Sequence, residues 1–216
     1  MNFLNKKNIS IMVSLVLVAG VGVYFIQQSN EKKEQSAKSA LYQVDKSLDA
    51  EIALLTEVEK ASGSKIDVDV KLPKTVAELN KIVSDQSLTA QVLFEAAMKL
   101  GNLYSDHPTE HSFERAIAAY KKAISFAKTD FQKSTACYLA GMAFEQQGML
   151  KESEEQFKTG LAVGYEGMKG EMMLAMVRVN VKTKNTTQAK AFADKLNKEQ
   201  PGTRAAQEAQ KLISKS

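Results

Sequence analysis

The sequence predicts an all-α protein, and three observations support this fold class. The chain has only 11 glycines and 3 prolines among its 216 residues, whereas a sandwich or barrel of many strands needs turn-forming residues every few positions. Hydrophobic residues make up 44% and charged residues 25% of the chain, which is typical of a protein that folds around a core. Apolar residues also recur at intervals of three or four, the spacing of one helical face, along residues 41–58 and again from residue 88 onward.

The first predicted element is an apolar helix over residues 9–26, which contain no charged side chain. A helix of these 18 residues is about 27 Å long, close to the thickness of a bilayer core of about 30 Å. We therefore expect a transmembrane anchor after a short tail, residues 1–8. The alternative is a cleaved signal peptide with weak small-residue sites at 18–20 and 20–22, although the apolar run continues past both sites.

Lysines flank the predicted anchor on both sides. Lys6 and Lys7 precede it, and Lys32, Lys33 and Lys38 follow it, so the count of positive charges gives little preference for either orientation. A short basic tail normally stays in the cytoplasm. In a bacterial cell we therefore expect a single-pass inner-membrane protein with its amino terminus in the cytoplasm and its soluble domain in the periplasm.

The pattern of charged and apolar residues over 27–62 predicts an amphipathic helix that ends at Gly63. Its apolar stripe makes fewer than three clean heptads, because Glu51 occupies one seam position. Two fates remain open for the stripe: packing on the helices that follow, or pairing with a second copy, which would make the protein a self-associating scaffold. The stripe consists of Leu41, Val44, Leu48, Ile52, Leu55 and Val58.

Residues 63–86 predict an extended linker followed by a short helix. Between Lys65 and Leu72 apolar and charged residues alternate strictly, which is the pattern of a half-buried strand. Because no neighbouring segment offers a partner strand, two interpretations remain. The segment is either an extended linker that lies along a helix or an edge that pairs with another chain.

The short helix after this segment is predicted from a capping motif. Thr75 and Glu78 have the spacing of a capping box, in which the threonine caps the first turn and the glutamate reaches back to it. We expect the helix to begin there, after Pro73, and to end near Ser84.

Residues 87–216 contain a repeated pattern of helices. Gly101, with Tyr104 three residues later, aligns with Gly141 and Phe144, and a third copy begins at Ala175, 34 residues after Gly141. In each copy the small residue is expected where two antiparallel helices approach closely.

Each copy continues into a second helix with small and aromatic residues at matching spacings. A last helix over Thr203–Ile213 is expected to cap the array. The residues of the three second helices are Ala116, Tyr120 and Ala123, then Ser153, Phe157 and Gly160, then Ala189, Ala193 and Leu196, with Pro201 closing the last copy.

This pattern resembles the tetratricopeptide repeat, which has a small residue at its eighth position, an aromatic residue at its eleventh, and small, aromatic and small residues in its second helix. The copy from Ser134 to Tyr165 matches well, whereas in the third copy Arg178 and Ala193 stand where aromatic residues are expected. The resemblance covers about 115 residues. It implies an α-solenoid of helix-turn-helix units whose first helices line a concave groove.

The order of one anchor, one helical stretch and about three degenerate repeats is also similar to a narrower family. These are the membrane-anchored tetratricopeptide-like proteins that are ancillary subunits of the bacterial SecYEG translocon. The resemblance is one of architecture, without a diagnostic motif. It implies a periplasmic repeat domain that works beside the translocon and with periplasmic chaperones or client segments.

On the repeat alignment, the fifth and ninth positions of each first helix face the groove. Methionine and tyrosine at these positions predict an adaptable apolar surface that binds hydrophobic segments of other proteins. The alternative is that the methionines fill the core between repeats. The basic residues that clamp a carboxyl terminus in some family members are missing from these positions. The six predicted partner-binding residues are Met98, Asn102, Tyr138, Met142, Met172 and Met176.

Other patterns give little support for catalysis, a metal or a cofactor. His107 and His111 have the H-x-x-E-H spacing of inverted zinc peptidases, but Pro108 opposes a continuous helix there and the chain has no third histidine. Cys137, the single cysteine, is expected to be a small buried residue. We therefore expect neither enzyme activity nor a cofactor.

The basic carboxyl-terminal end raises the question of nucleic-acid binding. Residues 182–216 hold eight basic and three acidic side chains. However, only three of the 29 basic residues in the chain are arginine, the residue whose planar fork suits phosphate and base recognition. The composition favours a solvated helix surface, and we expect no nucleic-acid partner.

Overall fold

The computed structural model describes the backbone of residues 6–63 and 67–215, with side chains from residue 26 onward except at positions 49 and 55. This part of the chain is helical outside its turns and has no strand, which confirms the all-α fold class. The helices are α1 (Lys6–Ser62), α2 (Val68–Lys71), α3 (Pro73–Ser84), α4 (Ala90–Asp106), α5 (Ser112–Phe126), α6 (Asp130–Gln146), α7 (Leu150–Val163), α8 (Glu166–Lys182), α9 (Thr186–Glu199) and α10 (Arg204–Ser214).

Helix α1 is one uninterrupted helix of 57 residues, about 85 Å long at 1.5 Å per residue. The anchor predicted over residues 9–26 lies outside the described side chains except at Ile26. Within the described part of the chain, no helix combines the length and the apolar content needed to cross a membrane. The anchor therefore stays a prediction.

The apolar stripe of α1 packs on the helices that follow it. Leu41 and Val44 are buried, and Leu48 and Ile52 pack against the same core, which also contains residues of α3 and α4. Val58, near the end of the helix, is exposed, and the side chain at position 55 lies outside the described residues. Packing on the following helices is therefore confirmed for the first four residues of the stripe.

Polar contacts fasten α1 to α3 and α4 along more than four turns. Glu34 accepts hydrogen bonds from the backbone N–H of Thr89 at 2.9 Å and from its hydroxyl at 2.6 Å. Near the other end, the Thr75 hydroxyl donates to Glu51 at 3.1 Å. Between these two contacts, Asp45 of α1 forms an ion pair with Lys99 of α4. Residues 34–52 of α1 and the first helices of the array thus form one packed unit.

The segment after α1 is a helical turn, so the predicted extended conformation is wrong for residues 67–72. Asp67 caps the turn by accepting from the backbone N–H of Asp69 at 2.8 Å. Val68 and Leu72 are buried, and Val70 between them is exposed, which is the four-residue spacing of a helix. An isolated strand would leave its backbone groups unpaired, whereas the capped turn pairs them locally. Residues 65 and 66 lie outside the described residues.

Arg115 of α5 holds this turn in place. Its guanidinium pairs with Asp67 at 3.2 Å and also with Asp69. The Tyr104 hydroxyl donates to Asp69 at 2.7 Å, and Arg115 lies 5.7 Å from the centre of the Tyr104 ring. The two aspartates of the alternating pattern therefore serve as acceptors for α4 and α5 and not as a solvated strand face.

Helix α3 ends at Ser84 as predicted, but it begins at Pro73 and not at a capping box. Proline suits the first helical position because its fixed φ is helical and its missing N–H would have no partner there. Thr75 is buried and donates its hydroxyl to Glu51 of α1. The hydroxyl is therefore used for packing between helices and does not cap the turn.

From α4 onward the helices form antiparallel pairs: α4 with α5, α6 with α7, and α8 with α9, followed by α10, which packs on α8 and α9. The predicted start of the last helix near Thr203 agrees with the structure to within a residue. Helices α4, α6 and α8 run in the direction of α1, and the helices between them run in the opposite direction.

The helices of the first and second pairs approach closely at Gly101 and Gly141, as the repeat pattern predicts. A Cβ atom built on Gly141 would lie 2.5 Å from the ring of Phe157, and one built on Gly101 would overlap the ring of Tyr120 in the same way. Both rings are buried. The ring of each second helix therefore lies directly on the backbone of the first helix, and this contact sets the spacing of the pair.

We expect Gly141→Ala to lower the free energy of unfolding by about 1–3 kcal/mol, because the added methyl group must displace a close-packed ring. Denaturant unfolding of the full chain, followed by circular dichroism, measures this change. Lys190→Ala on the exposed face of α9 is the control and should change little. In a Phe157→Leu background the glycine substitution should cost less. Strictly additive effects would show that the ring contact is not the cause.

Candidate partner-binding groove

The first helices of the three pairs lie side by side in parallel and make direct contacts. The Gln132 side chain of α6 donates to that of Gln91 of α4 at 2.6 Å, and Arg178 of α8 contacts Glu145 of α6. The second helices pack against them through the glycine and alanine positions. We call the side formed by α4, α6 and α8 the groove face.

A cleft with a volume of about 520 Å³ opens between α4, α5 and α6 near the ends of α4 and α6. We call it the groove cleft. Apolar side chains form one part of its wall, and amide, hydroxyl and carboxylate groups form another. Its lining consists of Asn102, Ser105, Asp106, Pro108, Phe113, Tyr120, Leu139, Met142, Ala143 and Gln146.

Tyr120 fixes the orientation of Asn102 in this cleft. The Tyr120 hydroxyl donates to Asn102 Oδ1 at 2.8 Å and lies 3.3 Å from Ser105 Oγ. Burial raises the pKa of Tyr120 to about 12, so the phenol keeps its proton at neutral pH and remains a donor. Since the Asn102 oxygen is occupied, its amide NH₂ group is the part that can donate to a carbonyl group of a bound segment.

Leu139 and Met142 supply the apolar part of the cleft on the α6 side, and both are half-buried. The thioether sulfur of Met142 also lies 2.9 Å from Nη2 of Arg178. Methionine adapts its shape to different apolar partners because three of its bonds rotate. This part of the cleft can therefore accept apolar side chains of different shapes.

Next to Met142 lies a charged cluster made of Glu145, Arg178 and Lys182. The Glu145 side chain is only 1% exposed. Its Oε1 accepts from Arg178 Nε at 2.7 Å and its Oε2 accepts from Arg178 Nη2 at 2.7 Å, and Lys182 Nζ lies 2.7 Å from Oε1. One buried anion is thus paired with two partly exposed cations, so the cluster carries a net positive charge on the groove face.

The pKa values in the charged cluster reflect two opposing effects. Burial disfavours the ionised form of Glu145, but the hydrogen bonds from Arg178 and Lys182 outweigh it and lower the pKa of the carboxyl group. Burial likewise opposes the charge on Arg178, and the hydrogen bonds to Glu145 outweigh it and raise the pKa of the guanidinium. Both groups are therefore charged at neutral pH, and the net charge persists.

The sequence pattern missed this cluster. Arg178 was counted as a departure from the aromatic residue expected in the third copy, and no partner for it was predicted. The available signal was the combination of two residues. Glu145 directly follows Phe144 in the second copy, and Arg178 stands at the aromatic position of the third copy. Each of these residues points across the boundary between two pairs.

The structure brings together two of the six predicted partner-binding residues, Asn102 and Met142, in the groove cleft. Tyr138 is half-buried on α6, with its ring 5.9 Å from that of Phe157, and burial raises the pKa of its hydroxyl. Met98 is half-buried against the core of the first helices. These four residues remain candidates for contact with a partner.

Met172 and Met176 do not line the groove, which corrects their predicted placement. Both are at most 1% exposed. Met172 fills the space next to Gly160, where a built Cβ would lie 2.7 Å from its sulfur atom. Met176 packs in a cluster with Phe157 and Val179. The alternative that methionines fill the core between repeats therefore holds for these two residues.

Neither the cysteine nor the histidines line the groove cleft. Cys137 is fully buried, as predicted, and burial raises the pKa of its thiol. His107 and His111 flank the turn between α4 and α5, with Pro108 outside both helices as expected. His107 is buried, whereas His111 is exposed with Nδ1 3.7 Å from Glu114. Among the described residues no group of three or more potential metal ligands is found.

Comparisons with known proteins give no assignment for this chain. No model of a protein family matches it, and no curated protein matches it. The interpretation of the groove cleft and the charged cluster therefore depends on the geometry of the described residues.

We expect Glu145→Gln to lower the free energy of unfolding by about 2 kcal/mol, because the two cations lose charge-assisted hydrogen bonds to a buried carboxylate. Glu208→Gln is the matched control. Glu208 pairs with Arg204 at 3.6 Å on an exposed surface, where the loss should be small. Equal effects of the two substitutions in denaturant unfolding would contradict this account.

The same contact gives the stability of the protein a pH dependence with a defined sign. Because the folded pKa of Glu145 is lowered, its stabilisation is fully present above the ordinary carboxyl range and is lost as the pH falls through the lowered value. Unfolding curves measured from neutral to acidic pH should therefore show a smaller loss of stability in Glu145→Gln than in the unchanged protein.

Proposed function

We propose that this chain is a membrane-anchored protein whose helical pairs form a tetratricopeptide-like α-solenoid that binds segments of other proteins. Residues 9–26 are the anchor, and the groove face is the binding surface. The observation that carries the proposal is the groove cleft itself. It contains an oriented amide donor, adaptable apolar side chains and an adjacent positive cluster on one open face.

The chemistry of this face indicates what it binds. Leu139 and Met142 accept an apolar side chain, and the amide of Asn102 can donate to a backbone carbonyl group of an extended segment. Arg178 and Lys182 exceed the charge of Glu145 by one unit, which favours an acidic group beside the apolar one. An apolar segment flanked by an acidic residue fits these features.

The predicted anchor sets the location of this binding. With residues 1–8 in the cytoplasm, the solenoid lies in the periplasm at the inner membrane. The architecture resembles that of the ancillary subunits of the SecYEG translocon. We therefore infer that the partners are the translocon, periplasmic chaperones or client segments, and that the protein assists translocation, chaperone recruitment or assembly of an envelope complex.

The alternative is a structural scaffold that associates with itself and has no peptide-binding groove. A self-associating scaffold requires the apolar stripe of α1 to be free to pair with a second copy of the chain. Leu41, Val44, Leu48 and Ile52 contact the core of the same chain, so the alternative has less support. An enzymatic function has no support from the cleft, because the Ser105 hydroxyl in its described lining is hydrogen-bonded to Tyr120 and not to a carboxylate or imidazole base.

Site-specific photocrosslinking in native membranes tests the binding proposal. A photoreactive amino acid at Gln146, which is exposed at the groove cleft, should capture a defined set of partner proteins, identified by mass spectrometry. The same probe at Glu155, exposed on α7 behind the groove face, is the matched control and should not capture them. Met142→Ala should weaken capture at position 146 while circular dichroism shows an unchanged helix content.

Three outcomes are informative. Equal capture at positions 146 and 155, or capture unaffected by Met142→Ala, would contradict binding in the groove cleft. Capture of a second copy of the chain as the main product at position 146 would favour the scaffold. Capture of other proteins at position 146 alone supports the groove.

A further inference from the structure

The starts of α4, α6 and α8 lie at the same height along α1, at the level of Glu34. Glu34 of α1 holds Thr89 at the start of α4 through two hydrogen bonds. Gln91, in the first turn of α4, accepts from Gln132 in the first turn of α6 at 2.6 Å. Phe131 of α6 then contacts Tyr165, the residue directly before α8. These contacts place the connections before α4, α6 and α8 along one edge, which we call the upper rim.

The upper rim faces the amino-terminal end of α1. Since α4 and α6 run in the direction of α1, their starts point toward the part of α1 that precedes Glu34. Glu34 lies eight residues after Ile26, the last residue of the predicted anchor. In a continuous helix this is about 12 Å. The headgroup layer on each side of a bilayer is about 5–8 Å thick, so the rim lies close to its outer boundary.

The upper rim exposes an aromatic pair that the core does not use. Phe131 is 53% exposed and Tyr165 is 38% exposed, and their rings meet edge to face with centres 5.4 Å apart. Aromatic side chains favour the level of the lipid headgroups, because an apolar ring meets the hydrocarbon boundary there while a polar tip stays hydrated. No other pair of exposed aromatic rings in contact is found among the described residues.

We propose that the upper rim rests on the lipid surface and that Phe131 and Tyr165 insert into the headgroup layer. This inference rests on the proposed anchor. The continuous helix α1 and its contacts with α3 and α4 hold the rim at the height of the bilayer, and the aromatic pair makes the contact. The solenoid is therefore docked on the membrane in one orientation and does not swing on a flexible stalk.

The charges near the aromatic pair indicate which lipids are needed. Lys128 is balanced by Asp130 close to it in sequence, and Lys169 lies 3.1 Å from Glu166. The charges of this part of the rim nearly cancel, so attraction to anionic lipid contributes little. Docking should therefore occur on zwitterionic phosphatidylcholine and should persist when the salt concentration is raised.

Tryptophan fluorescence tests this proposal well, because the chain contains no tryptophan. The full chain is reconstituted in phosphatidylcholine vesicles whose acyl chains carry bromine near the headgroup, and the emission of Phe131→Trp is compared with that in unbrominated vesicles. We expect a loss of emission and a shift to shorter wavelength. The matched control is Met149→Trp, at the opposite end of α6 and 37% exposed, which should show neither change.

A third reporter separates this proposal from the proposed function. Tyr24→Trp lies two residues before the end of the predicted anchor and should be quenched in the same vesicles by bromine near the headgroup. If it is not quenched, the anchor is wrong and the docking falls with it. If Tyr24→Trp is quenched but Phe131→Trp is not, the anchor stands and the docked rim is wrong. Equal quenching at positions 131 and 149 would also overturn the proposed orientation.

Discussion

The common register of α1, α4 and α6 is the constraint on which the rest of the structure depends. It is set by the hydrogen bonds that Thr89, just before α4, donates to Glu34 of α1 and by the one that Gln132 of α6 donates to Gln91 of α4. The glycine contacts with Tyr120 and Phe157 then fix how closely each pair packs. A shift of one turn between α4 and α6 would move Asn102 away from Met142 and remove the groove cleft.

The charged cluster both stabilises the fold and specifies the arrangement of the pairs. The hydrogen bonds from Arg178 and Lys182 outweigh the desolvation cost of burying the Glu145 carboxylate. Glu145 also lies at the boundary between the second and third pairs, where its three hydrogen bonds from Arg178 require one relative position of α6 and α8. The third pair lacks the aromatic residue of the others at position 178, and directional contacts replace the ring there. The same replacement leaves a positive charge on the groove face.

The sequence was sufficient for the features that depend on local periodicity and was insufficient for those that depend on contacts between distant residues. The helical class, the close approach at Gly101 and Gly141 and the final helix all follow from spacing within one or two helices. The extended conformation expected for residues 67–72 was wrong because Arg115, which is far away in sequence, holds Asp67 and Asp69 of this turn. The burial of Met172 and Met176 depends in the same way on which side chains the neighbouring pair presents, and repeat numbering alone does not contain that information.

The upper rim and the groove cleft lie at opposite ends of α6, and this separation has a consequence for how a partner reaches the groove. Along α6 the helix rises by about 10 Å from Gln132 to Leu139, the near edge of the cleft, and by about 21 Å to Gln146, its far edge. An extended chain covers about 3.3 Å per residue. In the proposed docked orientation, a segment that leaves the membrane beside α1 therefore needs about three residues to reach the near edge of the cleft and about six to reach the far edge. On that proposal a rigid α1 makes this height a selection for segments that have already emerged from the bilayer, which a flexible stalk of the same length would not provide.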